Sequence, residues 1–352
     1  MPASYLLFLF ILLDFPWYAL ASRLQFGQHQ TTPFSKSSIQ AKSITRELHS
    51  PNVKRNNLNT NSNGSTFLWL LQDEYSGKTF FENFTFFSDK DPTNGQVNYV
   101  NQSQAFNLGL AYVQDDGVVI MKGDNTSWLD QGIFRNSVRI SSYAQYTTGL
   151  FILDLNRAPW GCGVWPAFWT LGSDAWPQSG EIDIIEGVHD NEHNQVAWHT
   201  RDGGGVFAMK WDENGIAIWS FYRATVPKDI TDGSPDPSQW GNPSAALEPT
   251  GCNPLEFFYN HSIVFDITFC GDWAGNSYAS SHCPGTCEQR LMDPANFVNA
   301  TWSINSLKVY KKQSIKGQIV NAAFIHLPFM LTTFRLTMLA ISLTTFELLP
   351  CL

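Results

Sequence analysis

The sequence predicts an all-β fold, a sandwich of two antiparallel sheets, and two observations carry that prediction. Short alternating or apolar runs such as GVVIMKG, NSVRISSYAQY, GLFILDL, NQVAWHT, GIAIWSFY, SIVFDITFC and SINSLKVY recur from Phe67 to Tyr310, separated by Gly, Pro, Asn and Asp. That is the texture of strands joined by turns. Long stretches with helical spacing of apolar residues are few, which speaks against a βαβ arrangement. No internal repeat stands out, and one domain over residues 66–312 is within the size that such sandwiches reach.

The flanks of this domain have a different composition. Residues 1–21 form an apolar run ending in Ala19-Leu20-Ala21, the small-x-small pattern of a cleaved secretion signal. The alternative is a membrane anchor, because the run opens without Lys or Arg and is interrupted by Asp14. Residues 22–65 are rich in Ser, Asn, Gln and Thr, too poor in large apolar groups to order themselves, and are expected to be a disordered linker or pro-segment. Within them Lys54-Arg55 offers a dibasic processing site or a plain solvated charge pair. Residues 313–352 are an apolar tail whose small residues Asn321, Ala322 and Ala323 suit a lipid-anchor signal, giving membrane or wall attachment. Arg335 and Glu347 sit inside the apolar stretch and no polar spacer precedes it, so a transmembrane helix and a spurious terminus stay open beside the anchor.

The expected location is therefore extracellular, or anchored at the cell surface, and the protein is expected to be a monomer. Sequons at Asn63, Asn83, Asn101, Asn125, Asn260 and Asn299 are compatible with export. In that compartment Cys162, Cys252, Cys270, Cys283, Cys287 and Cys351 are disulfide candidates first. The CPGTC stretch lacks a second Cys/His pair at ligand spacing, so no metal is expected there. Net charge is −9 with no basic stripe in the central region, which excludes nucleic acid as a partner. Charged residues make up 15% of the chain while aromatics reach 14%, with 13 Trp; sparse charge and plentiful aromatic faces suit a sugar binder.

The segment GEIDIIEG carries chemistry. Alternation places Glu181 and Asp183 on one face of a strand and the isoleucines on the other. Three acids in an apolar strand are costly to bury without a task. Glu186 breaks the parity, and in a regular strand it points to the opposite face. One extra residue at Ile184-Ile185, taken up as a β-bulge, returns Glu186 to the face of Glu181 and Asp183. The outer carboxyls then stand near the ~5–5.5 Å separation of a retaining glycosidase. The competing readings are a solvated acidic edge and a calcium site of three carboxylates. Flanking isoleucines and tryptophans favour catalysis, with no metal and no cofactor.

The longer stretch GCGVWPAFWTLGSDAWPQSGEIDIIEG resembles glycoside hydrolase family 16, whose signature has a WPAFW approach and an E-x-D-x-x-E strand. The resemblance extends through SVRISS, GLFILDL, the HT after the acid strand, CGDWAG and CPGTCEQRLMDPANFVNATWSINSLKVY, and is closest to the fungal laminarinase-like enzymes. It implies a concanavalin A-like β-jelly roll with a concave cleft, acting on β-1,3 and mixed β-1,3/1,4-glucans as an endo-1,3(4)-β-glucanase. It makes Glu181 the nucleophile, Asp183 an assisting acid and Glu186 the acid/base. It also implies substrate contacts for Trp169, Trp176, Arg139, His199 and, at far subsites, Trp273. For the tryptophans the alternative is core packing, which is also the reading for Trp165 and Phe168. For Arg139 the alternative is a surface ion pair, and for His199 a satisfied core histidine. A transglycosylase remodelling wall glucan and a non-catalytic glucan-binding module are the other functions such a sequence permits. Retention of all three acids speaks against the module.

Overall fold

A computed structural model describes residues 58–61, 63–190, 204–250 and 252–315. The expected signal, Lys54-Arg55, His199, Cys351 and the tail from residue 316 lie outside the described residues. In chain order the strands are β1 (Asn59–Thr60), β2 (Thr66–Ser76), β3 (Phe84–Phe86), β4 (Val97–Tyr99), β5 (Ala111–Val113), β6 (Val119–Lys122), β7 (Arg135–Ser137), β8 (Arg139–Tyr146), β9 (Gly149–Arg157), β10 (Val164–Gly172), β11 (Glu181–Glu186), β12 (Gly205–Asp212), β13 (Gly215–Tyr222), β14 (Ala245–Leu247), β15 (His261–Phe269) and β16 (Thr301–Ser314).

The larger sheet runs β1-β2-β16-β9-β12-β13-β14, with β6 pairing β16 over Thr301–Ile304 and β5 beyond it. The smaller sheet runs β11-β10-β15-β8-β3. Pairing in both is antiparallel. These are the two curled layers of a jelly-roll sandwich: the strand texture predicts the sandwich, and the family resemblance implies the jelly roll.

Alternation along each strand decides what fills the sandwich. From the larger sheet Phe151, Leu153, Phe207, Met209, Trp211, Leu307 and Val309 point inward, and from the smaller sheet Ile140, Phe168, Ile263, Phe265 and Ile267 meet them. The rings of Phe168 and Phe265 stack at 4.5 Å, and Trp302 sets its edge to Phe265 at 5.6 Å. The run GLFILDL is apolar on both faces for a physical reason. Leu150 and Ile152 turn outward beneath a second cluster with Trp219, Trp240 and Tyr310, against which Val226 and Ile230 pack. Residues 223–240 thus cap the outer face of the larger sheet and leave the smaller sheet's outer face for other work.

Two details correct the expected boundaries. The Asn- and Ser-rich stretch read as linker up to residue 65 already contains β1, which pairs with Thr66 and Phe67 of β2. Its polar residues build the turn: Asn61 N–H donates to Ser65 O at 2.8 Å, and Asn63 Oδ1 accepts from the Ser65 N–H and hydroxyl at 3.0 and 2.7 Å. At the other end β16 continues to Ser314, past the expected limit at 312.

The stretch after β15 is tied down by disulfides Cys162–Cys283 and Cys270–Cys287, while Cys252 is unpaired among the described residues. Arg135 is fully buried beside it. Its guanidinium donates to Leu291 O, to Asp124 O at 2.9 Å and to Ser127 O at 3.0 Å, and lies 4.8 Å from the Phe297 ring. Removing a buried charge that joins so many carbonyls leaves them unsatisfied, so Arg135→Ala should destabilise the fold by about 3–5 kcal/mol. A urea midpoint unchanged from the parent protein would contradict that role.

Candidate active site

Strand β11 begins at a tight turn. Gly180 has φ +82°, and a Cβ there would stand 2.5 Å from the Phe258 ring and 2.8 Å from Phe257 O, so only glycine fits. Just before it, buried His261 meets Ser179 O through Nε2 at 2.7 Å and Thr170 Oγ1 through Nδ1 at 2.8 Å. An acceptor carbonyl fixes the proton on Nε2, so Nδ1 accepts from the Thr170 hydroxyl. Burial depresses the imidazole pKa and keeps this tautomer neutral, against the pull of the Ser179 carbonyl.

Along β11 the register against β10 reads Leu171 opposite Glu181, Thr170 opposite Ile182, Trp169 opposite Asp183, Phe168 opposite Ile185 and Ala167 opposite Glu186. Ile184 has no partner of its own: it is the extra residue of a β-bulge. Ile182, Ile184 and Ile185 all enter the inter-sheet core. Glu181, Asp183 and Glu186 consequently share the outer face of the smaller sheet. The bulge is the local answer to the parity break in the sequence, since burying two successive isoleucines outweighs one lost ladder position.

On this face each carboxyl has a different environment. Glu186 Oε1 accepts from the Trp165 indole N–H at 2.9 Å. Burial, then the charge of Asp183, push Glu186 up to about 7, with the indole opposing. Glu181 is raised by burial and by Glu186, while the Trp176 indole and the Arg139 guanidinium pull it down. Asp183 is raised by burial, then by Glu181 and Asp266. Glu181 and Asp183 keep accessible surface while crowded on their flanks, as expected for groups on the floor of a cleft. Like charges at such spacing do not ionise together near neutral pH.

Tryptophans surround the acids. Trp176 is 69% exposed beside Glu181. Trp169 is half-buried on the cleft face, and its Nε1 donates to Asp266 at 2.9 Å. Arg139 is no surface ion pair: it is 8% exposed, its guanidinium is held between the rings of Phe87 and Trp169 at 4.7 and 5.1 Å, and its Nε meets no acceptor among the described residues. Trp273 packs its ring against Trp165 at 5.7 Å, at the end of the face near Glu186. The Trp273 loop is anchored through buried His189, whose Nδ1 accepts from Gly163 N–H at 3.0 Å and whose Nε2 meets the Ser277 hydroxyl at 3.0 Å. That hydroxyl in turn donates to Trp273 O at 2.6 Å.

Of the expected site residues, Glu181, Asp183, Glu186, Trp169, Trp176, Arg139 and Trp273 gather on this one face, and His199 lies outside the described residues. Trp165 and Phe168 are both buried, as expected, but in different places: Phe168 lies in the inter-sheet core, whereas Trp165 packs with Val188 and Ala274 on the face of Trp169 and holds Glu186 as well. Asp266 was not anticipated, although a lone acid inside the apolar run SIVFDITFC is a signal of the same kind as the acids of β11.

A bulged strand of carboxylates with indole donors, on the open face of a jelly roll, defines the class as the β-sandwich glycoside hydrolases. The XgeA-like catalytic GH16 domain profile matches residues 84–203 and 200–310. The chain is 40% identical to the Schizosaccharomyces pombe protein named "Probable glycosidase", over 69% of this chain and 69% of that protein. It is 36% identical to the endo-1,3(4)-β-glucanase xgeA of Emericella nidulans, over 69% of this chain but 47% of that protein. Among solved structures it is similar to the GH16 laminarinase 16A of Phanerochaete chrysosporium, determined with 6-O-glucosyl-laminaritriose in donor and acceptor sites, at 34% identity and TM-score 0.64 over 69% of this chain and 99% of that one. It is also similar to an elongating GH family 16 β-1,3-glucosyltransferase, at 37% identity and TM-score 0.64 over 69% of this chain and 100% of that one. The chain belongs to glycoside hydrolase family 16.

Proposed function

We propose that this chain is an endo-acting retaining glycosidase that cleaves β-1,3 and mixed β-1,3/1,4-glucans by double displacement. The observation that carries the reading is the bulge at Ile184, which brings Glu181 and Glu186 to one face with Asp183 between them. Glu181 is the nucleophile. Among the three acids of β11 it is the one with both an indole donor and a guanidinium favouring its charge, and it attacks the anomeric carbon. Glu186, pushed up to about 7, carries the proton that the leaving oxygen takes. Once Glu181 is esterified its charge is gone, the repulsion on the cluster falls, and Glu186 becomes the base that activates water. Asp183, its proton affinity raised by burial and then by Glu181 and Asp266, shares its proton with the nucleophile and tunes it.

Trp169 and Trp176 offer aromatic faces to pyranose C–H edges, and Trp273 lengthens the platform. Supporting the substrate class are the names of the relatives, endo-1,3(4)-β-glucanase for the E. nidulans protein and laminarinase for the P. chrysosporium enzyme. An exported monomer acting on wall glucan, retained by its apolar tail, is the setting we propose.

A glucan transglycosylase is the second reading, favoured by the 37% identity to an elongating β-1,3-glucosyltransferase; a sugar hydroxyl then intercepts the covalent intermediate in place of water. Product profiles on laminarin, its oligomers and mixed-linkage glucan decide between them. Hydrolysis yields only fragments shorter than the input, whereas products longer than the input oligomer overturn hydrolysis as the main activity.

A further inference from the structure

Strand pairing sets a straight row across the cleft face. Asp266 on β15 pairs with Arg139 on β8 to one side and with Ala167 on β10 to the other, and Ala167 pairs with Glu186 on β11. Paired residues of antiparallel strands project to the same face. The row therefore reads Arg139, Asp266, Ala167, Glu186, and only a methyl group stands between the two acids. Two strand spacings put their backbones about 10 Å apart.

Asp266 is a costly residue to keep at this place. It is 6% exposed, and among the described residues its carboxyl accepts one side-chain hydrogen bond, from Trp169. Arg139 favours its charge, yet forms no ion pair within 4.0 Å among the described residues and packs on two aromatic rings. An amide would serve equally well as acceptor for an indole N–H, without the cost of a buried charge. A carboxylate here needs a reason beyond geometry.

We infer that Asp266 is a positioning residue with two tasks: its oxygen fixes the Trp169 platform for sugar, and its carboxyl, two strands across the same row, is the electrostatic neighbour that tunes the acids of β11. The inference rests on the roles proposed above for Glu181 and Glu186. The charged and titratable groups facing Asp266 are Arg139 from β8, the three acids from β11, Asp91 through Thr268 Oγ1 at 2.6 Å, and Tyr99 from β4. Burial lifts Asp266 itself to about 7, with Arg139 and the Trp169 indole opposing. It appears in turn among the causes that raise Glu181 and Asp183.

The test is Asp266→Asn beside Asp266→Ala, read as pH profiles of kcat/KM on laminarin. The asparagine keeps an acceptor for Trp169 and removes the charge; Asp266 is ionised only as pH approaches about 7, so the alkaline limb of the profile should move to lower pH, by about half to one unit at this distance, with the acid limb and KM held. The alanine removes the acceptor as well, and KM should rise several-fold on top of the same shift. An alkaline limb that stays in place in a folded Asp266→Asn variant overturns the inference. If that variant does not fold, carboxyl 13C titration of the parent protein and of Glu186→Gln takes its place. The Asp266 midpoint should fall in Glu186→Gln, and an unchanged midpoint overturns the link. Failure of the underlying roles shows separately, as turnover surviving in Glu181→Gln.

Discussion

Glu181→Gln should lose essentially all turnover, roughly 10⁴-fold or more in kcat, while laminarin oligomers still bind. The amide is close to isosteric, and the sugar platform of Trp169 and Trp176 is untouched, so the loss falls on the covalent step. The stereochemistry of chemical rescue makes the assignment sharper. In Glu181→Ala, azide occupies the space of the missing nucleophile and attacks from the α side, giving an α-glycosyl azide. Formation of the β anomer in that variant would reverse the roles of Glu181 and Glu186.

Glu186→Ala should slow the reaction by about 10²–10⁴-fold on natural glucan, where the leaving oxygen needs a proton. The loss should be far smaller on substrates with an activated aryl leaving group, and here azide gives the β-glycosyl product by attacking the glycosyl-enzyme. The pH dependence follows with a definite sign. Glu186 must be protonated to act as acid, so parent activity is present below about 7 and is lost as pH rises through that value. In Glu186→Ala that limb should vanish from the profile measured with an aryl substrate. The same raised pKa bears on stability. The folded protein retains a proton that the unfolded chain releases near the ordinary carboxylate value, so this contribution is complete below about 4 and is lost as pH approaches 7. Glu186→Gln stays neutral and should melt at a higher temperature than the parent at pH 8; an equal or lower melting point would show that Glu186 does not strain the fold.

The acids and the bulge were legible because both are statements about parity. GEIDIIEG places polar and apolar residues in period two until the Ile184-Ile185 doublet, and a doublet of large apolar residues between two outward acids has one economical solution. The strand texture likewise gave the sandwich. Other features depend on which layer covers which face, and that is not written locally. GLFILDL reads the same whether its second face meets another sheet or a cap from residues 223–240. Trp165 and Trp169 share parity, yet only the arrival of Glu186 from the neighbouring strand turns one of them into a hydrogen-bond donor for an acid. Arg139 sits between Phe87 and Trp169 because β3 continues into the loop at Phe87 and β10 lies two strands away. No spacing within SVRISS announces those rings. Asp266 is legible only as a single acid in an apolar run, and nothing within SIVFDITFC tells that its neighbours across two strands are the acids of β11.

The order β2-β16-β9 has a consequence in time. The strand at Thr66–Ser76 finds its central partner only in the last described strand, Thr301–Ser314, which also pairs with β9. Chain emerging from the ribosome therefore holds the unpaired edge of β2 until more than two hundred further residues have been made, and that of β9, with its apolar side chains, for more than a hundred and forty. Loops that long close slowly, and unpaired edges invite association between chains. A stop codon shortly before Thr301 would leave both edges open for good, and the expected product is aggregate rather than a smaller sandwich.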